Sequence, residues 1–169
     1  YSRLVETHAV PLISHETGQW CAYPDFSETG SYTGYLKAAN LEIFMDLAER
    51  NGLLDQAGDF HRASGVFQAL FYKQELETFM RTPGTAGFQL LGLLDYHGHG
   101  FAPVGVLDAM GRPKRYITDV QFRRFCNTVV PLALMDKRVW KHEETFEADL
   151  VIYDYSERSV TDHRLHWKF

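Results

Sequence analysis

The chain has 169 residues, of which 45% are hydrophobic and 14% aromatic, and its formal net charge at pH 7 is -5. This length and apolar content suit a folded domain with a real core and exclude an intrinsically disordered chain. The acidic balance argues against nucleic-acid binding, and the sequence shows neither an apolar run long enough to span a membrane nor a recognisable signal peptide.

The two cysteines, Cys21 and Cys126, lie far apart and outside any C-x-x-C pattern. Metal-binding and redox cysteines usually occur in such closely spaced pairs. We therefore expect two free, buried thiols that behave as small apolar side chains, and we expect no metal or other cofactor.

An apolar run near the N-terminus predicts the first strand, over residues 10–14. It ends in the polar sequence His15-Glu16-Thr17-Gly18, as a buried parallel strand does when its C-terminal end opens into a loop. The glycine- and aromatic-rich stretch that continues to about Leu36 predicts a long loop, and long loops inside compact domains are often functional.

Helical periodicity dominates the next segment and predicts helices near 38–51 and 56–81. Asn51-Gly52 is a typical helix stop, and Pro83-Gly84 follows the second helix. Each helix carries one apolar face that we expect to pack in the core: Leu41, Phe44, Leu47 and Ala48 in the first, and Phe60, Ala63, Phe67, Leu70 and Phe71 in the second.

A second apolar run predicts a strand over 87–93, which also ends in polar groups, Asp95-Tyr96-His97-Gly98-His99. The order strand, long loop, helices, strand, polar loop is typical of an α/β fold of the βα-barrel type, so the two strands should be parallel neighbours. A complete (β/α)8 TIM barrel needs about 250 residues, and we therefore expect the C-terminal portion of one. Thr118 and Gln121 form a capping-box pattern that predicts a further helix.

The pattern changes toward the C-terminus, where residues 145–153 and 163–169 alternate between apolar and polar positions. Such alternation predicts β-strands with one buried face, and we expect the two segments to pair in antiparallel fashion. The sequence thus predicts a barrel portion over 1–137 and the start of an immunoglobulin-like antiparallel β-sandwich over 138–169.

Two carboxylates, Glu16 and Asp95, follow the two predicted barrel strands. Catalytic groups of barrel enzymes lie at the C-terminal ends of the strands, and glycoside cleavage uses a pair of carboxylates. The aromatic residues near these positions have flat apolar faces that suit sugar rings: Trp20, Tyr23, Phe26 and Tyr96.

The segment from Pro11 to Trp20, Pro-Leu-Ile-Ser-His-Glu-Thr-Gly-Gln-Trp, resembles the nucleophile segment of glycoside hydrolase family 2, which includes β-galactosidases and β-glucuronidases. Residues 85–91, Thr-Ala-Gly-Phe-Gln-Leu-Leu, resemble the last barrel strand of that family. The sequence His-Glu-Thr-Gly-Gln-Trp followed by Tyr-Pro-Asp-Phe is most similar to a divergent branch found among bacterial polysaccharide degraders. The resemblance covers residues 9 to 135.

This resemblance implies a retaining hydrolase of β-glycosidic bonds in oligo- or polysaccharides, with Glu16 as the nucleophile and a carbohydrate as the binding partner. It favours export to the periplasm or the cell exterior. The polar loop after the second strand is expected to face the same cleft as Glu16, so that the substrate-binding residues would be His15, Trp20, Gln89, Asp95, Tyr96 and His97.

The sequence departs from the family pattern at two points. The family's acid/base follows an asparagine on an earlier barrel strand, and no Asn-Glu pair occurs here. The acid/base is therefore expected on the remainder of a parent polypeptide, which leaves this chain alone inactive. Leu90 and Leu91 stand where the family often has a tryptophan as a sugar platform.

Two other functions fit parts of the sequence. His97 and His99, with Asp95 beside them, have the alternate spacing of metal ligands in an extended segment, which would indicate a metal-dependent hydrolase. The aromatic residues and the C-terminal strands would instead suit a carbohydrate-binding or interaction module without catalysis. The long helical middle argues against such a module, because most of these modules consist almost entirely of strands.

Overall fold

The computed structural model describes residues 2–96, 101–158, 162, 164–166 and 168. Its elements in chain order are α1 (Ser2–Thr7), β1 (Leu12–Thr17), a 3-10 helix (Phe26–Ser31), α2 (Ala39–Arg50), a second 3-10 helix (Leu54–Gln56), α3 (Ala57–Met80), β2 (Thr85–Leu90), α4 (Asp119–Phe122), β3 (Val129–Leu134) and β4 (Asp149–Asp154). These strands form two sheets of two strands each, β1 with β2 and β3 with β4.

The first sheet joins β1 and β2 in parallel, which confirms the pairing predicted from the two apolar runs. Because parallel neighbours point the same way, their C-terminal ends lie at one edge of the sheet, and α2 and α3 form the connection between them. The register is uneven: Ser14 pairs with Phe88 and Thr17 with Leu90, so three steps along β1 match two along β2. The extra residue falls between Ser14 and Thr17.

Both predicted long helices are present, α2 with 12 residues and α3 with 24. Asn51 follows the end of α2 and Gly52 adopts a φ of 66°, the left-handed conformation in which glycine ends a helix at little steric cost. The capping box of Thr118 and Gln121 at the start of α4 is also confirmed, because both of its reciprocal hydrogen bonds form.

The buried face of α3 differs from the predicted one. Phe67 and Leu70 are 59% and 57% exposed, whereas the core contains Tyr72, Leu76 and Met80 from the other side of the helix, with Phe125, Val130 and Leu132. Apolar side chains occur all round α3, so periodicity alone does not select the inward face. On α2, Leu41 and Ala48 are buried as predicted, while Phe44 and Leu47 remain exposed.

The second sheet joins β3 and β4 in antiparallel fashion, from Val129 opposite Asp154 to Leu134 opposite Asp149. The predicted strand over 145–153 thus exists in a shorter form, but its partner is β3 rather than residues 163–169. In that last segment, residues 164–166 and 168 are not in a strand, and the other three lie outside the described residues. The pairing crosses the proposed boundary between 137 and 138, and the division into barrel and sandwich stays a prediction.

Cys21 and Cys126 are both free thiols; Cys126 is half-buried against the core, whereas Cys21 is exposed and so differs from the prediction. Within the part of the chain that the structure describes, none of the helices combines the length and apolar character needed to cross a bilayer. One parallel pair with a helical connection fits a barrel portion, but two strands do not define a barrel, and that architecture also stays a prediction.

Candidate active site

Glu16 lies at the C-terminal end of β1, one residue before the strand ends at Thr17. Its φ is 53°, a left-handed conformation that is uncommon for a residue with a side chain, and it falls within the uneven register between β1 and β2. A bulge of this kind re-aims a side chain, and such strained residues cluster at functional sites. The Glu16 side chain is half exposed.

Neighbouring polar side chains surround the Glu16 carboxylate. Gln19 Nε2 donates a hydrogen bond to Glu16 Oε2 at 3.0 Å, and His15 Nε2 lies 3.7 Å from Glu16 Oε1. On its other side the His15 ring contacts β2, where Nδ1 lies 3.0 Å from Gln89 Oε1. The amide oxygen only accepts, so this contact requires Nδ1 to carry a proton. His15, Glu16 and Gln89 are thus brought together at one edge of the sheet.

An open cavity of about 340 Å³ adjoins Glu16 and is lined also by Gly18, Gln19, Trp20 and Glu75. The Trp20 ring stacks on Phe71 with centroids 4.0 Å apart and remains 42% exposed. An aromatic face held in this way beside a carboxylate is suited to the apolar face of a sugar ring.

Glu75 on α3 is a site residue that the sequence did not reveal. Its two carboxylate oxygens accept hydrogen bonds from the Gly18 backbone N–H and from Trp20 Nε1, each at 2.9 Å. Glu75 therefore holds both the turn after Glu16 and the orientation of the indole. The only local signal is its position four residues after Phe71, on the same side of the helix, and that spacing does not indicate which loop it meets.

Gly18 and Tyr72 lock the same loop against the core. Gly18 has a φ of 86°, and a Cβ atom added there would overlap with the Tyr72 ring. The Tyr72 ring is itself fixed, because it is buried and its hydroxyl donates a hydrogen bond to the Val104 carbonyl at 2.7 Å. Only glycine fits both the backbone conformation and the space at this position.

Asp95 does not line the cavity beside Glu16, contrary to the expectation that the two carboxylates face one cleft. Its side chain is 1% exposed and that of Lys114 is 3% exposed, with Lys114 Nζ 2.6 Å from Asp95 Oδ1. Asp95 Oδ1 also accepts from the Gly105 backbone N–H at 2.9 Å. Burial raises the pKa of Asp95, and the Lys114 charge opposes that rise. A carboxylate enclosed in this way binds its own lysine rather than a substrate.

The polar loop after Asp95 is described only in part. Tyr96 is exposed, and its backbone pairs with that of Ala102. His97 and His99 lie outside the described residues, so the predicted substrate contact of His97 and the alternative metal site are untested. Among the described residues, no group of three or more metal-ligating side chains is close enough to hold a metal ion.

A second cavity, of about 470 Å³, lies beside the buried ion pair and contains Glu28 and Lys114 in its lining. Glu28 is buried on the first 3-10 helix. Burial, with the negative charges of Asp95 and Asp108, raises the pKa of Glu28 to about 7. The sequence did not indicate the Glu28 carboxylate as a site residue, because residues 28, 95 and 114 come near one another only in the folded chain.

No protein-family model matches the chain, and no curated protein matches it at a significant level. The resemblance of residues 11–20 and 85–91 to glycoside hydrolase family 2 therefore stays a prediction.

Proposed function

We propose that the chain is part of a retaining glycoside hydrolase that cleaves β-glycosidic bonds, with Glu16 as the nucleophile. The observation that carries this proposal is the placement of Glu16: an exposed carboxylate in a left-handed conformation at the C-terminal end of a parallel strand. Catalytic residues of βα barrels occupy that position, and backbone strain there is typical of a functional residue.

The surroundings of Glu16 support the same chemistry. A nucleophilic carboxylate needs contact with solvent and a hydrogen-bond donor, and Glu16 has both because it is half exposed and accepts a hydrogen bond from Gln19. Trp20 presents a fixed aromatic face in the same cavity. His15 and Gln89 add hydrogen-bonding groups that can reach sugar hydroxyls at the sheet edge.

In the proposed reaction, Glu16 attacks the anomeric carbon and the leaving-group oxygen departs with a proton from the acid/base. Water then cleaves the glycosyl ester with the same group acting as base. The acid/base would come from a strand outside this chain and would lie about 5–5.5 Å from Glu16, the spacing of retaining enzymes. Asp95 does not fill that role, since it is buried with Lys114.

The alternative of a binding module without catalysis is less favoured by the fold. In the part of the chain that the structure describes, the two long helices have 12 and 24 residues, whereas each of the four strands has six. Sandwich-type sugar-binding modules are built almost entirely of strands. An exposed Trp20 would serve either function, so the Glu16 carboxylate is the feature that discriminates between them.

The test compares Glu16→Gln with Glu49→Gln, a matched change at an exposed glutamate on α2, in the native protein that contains this chain. We expect Glu16→Gln to fold normally and to lower turnover of β-glycosides by at least about 10³-fold, because the covalent step loses its nucleophile. Glu49→Gln should leave turnover unchanged. Near-normal turnover of Glu16→Gln would show that the assignment is wrong.

A covalent label provides a second readout. A 2-deoxy-2-fluoro-β-glycoside with a dinitrophenyl leaving group needs no proton from the acid/base, so it can trap the glycosyl-enzyme on the nucleophile alone. Mass spectrometry of the digested protein should locate the sugar on the peptide that contains Glu16, and Glu16→Gln should remain unlabelled. Azide should restore part of the activity of Glu16→Ala. A sugar attached to another carboxylate would contradict the proposal.

A further inference from the structure

The cavity of about 470 Å³ beside the buried ion pair has the size of a small-molecule site. It lies between the first 3-10 helix, the N-terminal part of α3 and the segment before α4. The groups that give it its character are Asp25, Glu28, His61, Asp108, Arg112 and Lys114. None of them lines the cavity beside Glu16, so the two are separate sites.

The Glu28 side chain lines this cavity, and one of its carboxylate oxygens accepts no hydrogen bond from the described residues. The residue is 4% exposed, and its buried Oε2 atom has no hydrogen-bond partner among the described residues. Buried carboxylate oxygens are nearly always satisfied, because leaving one unpaired is costly. This oxygen in the wall of a cavity indicates that a donor from outside the described residues completes the site.

The charges around Glu28 favour a positively charged donor. Asp25, Asp95 and Asp108 all act on Glu28 as neighbouring negative charges. Two of the cations that line the cavity are already engaged: Lys114 pairs with Asp95 at 2.6 Å, and Arg112 Nε pairs with Asp108 Oδ2 at 2.5 Å. Asp95 and Asp108 thus each have a cation, whereas no ion pair of Glu28 occurs among the described residues.

His61 adds a second acceptor to the same cavity. Its Nδ1 atom lies 2.7 Å from the Tyr23 carbonyl oxygen, which can only accept, so Nδ1 carries the proton of this contact. In the neutral ring Nε2 is then an acceptor. Arg62 and Arg115 also line the cavity, but both are exposed. The buried part of the cavity is therefore rich in acceptors, and its exposed part is basic.

We propose that this cavity binds a small organic molecule through a protonated primary amine, with the Glu28 carboxylate as its counter-ion. An ammonium group carries one positive charge and three N–H donors, which matches the buried Glu28 Oε2 atom and the negative charges of Asp25 and Asp108 near it. An organic cation fits better than a metal ion, because no metal-ligating group of three side chains occurs among the described residues.

The proposal predicts a dependence on pH. An ammonium ion needs Glu28 ionised, and it competes with the proton that this carboxyl holds below its pKa of about 7. Asp25, Asp95 and Asp108 raise that pKa, and Lys114 lowers it. Affinity should therefore increase about tenfold between pH 6 and pH 8, because the ionised fraction of Glu28 rises by that factor.

The experiment is an NMR titration of the isotope-labelled chain with three probes of equal size: n-propylammonium, 1-propanol and propionate. We expect n-propylammonium to produce saturable shifts at the amides of the Glu28 helix and of 112–116, about tenfold tighter at pH 8 than at pH 6. Propanol and propionate should produce no saturable shift there. Equal shifts with propanol, or an affinity that does not change with pH, would overturn the proposal.

Three variants complete the test. Glu28→Gln should abolish saturable binding, whereas Asp46→Asn, a matched change at an exposed ion pair on α2, should keep the wild-type affinity. Glu16→Gln should also keep it, so that a failure of the glycosidase proposal is distinguishable from a failure of this one. Spectral dispersion shows whether Glu28→Gln folds. If the variant does not fold, the pH dependence of the wild-type affinity tests the proposal. Unchanged binding in folded Glu28→Gln would refute the site.

Discussion

The sheet edge around Glu16 and the buried cluster around Asp95 have similar local sequences, but they differ in solvent exposure. Each carboxylate follows an apolar run, yet Glu16 is half exposed beside His15 and Gln19, and Asp95 is 1% exposed against Lys114. The partners of Glu16 lie mostly within a few residues of it, whereas Lys114 lies 19 residues from Asp95. The comparison shows that the position at a strand end does not decide whether a carboxylate is available to a ligand.

The largest expected effect is at the buried ion pair, where Lys114→Met should destabilise the protein by about 3–5 kcal/mol, because it leaves the Asp95 charge buried and unpaired. Lysine removal raises the pKa of Asp95 further. The loss should therefore be small at a pH low enough to protonate Asp95 in the folded state and should grow as pH rises through that folded pKa. Chemical denaturation at several pH values measures it.

The matched change for that experiment is Asp46→Asn, which removes an exposed ion pair with Arg50 and should cost less than about 1 kcal/mol at every pH. If Lys114→Met cost no more than Asp46→Asn, the contrast between a buried cluster and an exposed edge would be wrong.

A smaller loss of stability is expected from Gly18→Ala, in the loop that follows Glu16. The left-handed φ of 86° and the overlap of the added Cβ with the Tyr72 ring should together cost about 2–4 kcal/mol. The same change at Gly34, where an added Cβ meets no atom within 4 Å, should be nearly neutral. Thermal unfolding of the two variants compares them. A neutral Gly18→Ala would mean that the loop after Glu16 is not held by the core.

The smallest expected effect is a gain in the stability of Glu28→Gln, and the size of this gain depends on pH. The folded pKa of Glu28, about 7, lies above its ordinary value of 4.5, so the stability that this group contributes is present below pH 4.5 and is lost as pH rises through 7. Glu28→Gln removes the charge that causes the loss. At pH 8.5 the variant should be more stable than the wild type by up to about 3 kcal/mol, and the gain should shrink toward pH 5.

Equilibrium denaturation of both proteins across this range tests the sign as well as the size. A variant that is less stable than the wild type at pH 8.5 would show that the Glu28 carboxylate has a stabilising partner in the folded protein.

Local sequence predicted the elements that depend on local chemistry. Apolar runs with polar ends predicted β1 and β2, Asn51-Gly52 predicted the end of α2, and Thr118 with Gln121 predicted the start of α4. The site residues that are near neighbours in the chain, from His15 to Trp20, could also be selected in this way. Their chemistry is determined by hydrogen bonds and backbone geometry over a few residues, which leave a readable pattern.

Tertiary structure decided the contacts that such patterns do not encode. β4 pairs with β3 because Val130 and Leu132 are buried with α3, although alternation alone suggested residues 163–169 as its partner. α3 presents Tyr72 and Leu76 to the core rather than Phe67 and Leu70 because a helix that is apolar all round takes its orientation from its neighbours.

The sequence by itself thus determined the two parallel strands, their connecting helices and the position of Glu16 at a strand end. Only the tertiary structure placed Glu75 on the loop after Glu16 and enclosed Asp95 with Lys114. The physical reason is that the hydrogen bonds of helices, turns and caps join residues only a few positions apart in the sequence. Burial and charge pairing depend instead on which segments, distant in sequence, pack together and exclude water from the groups between them.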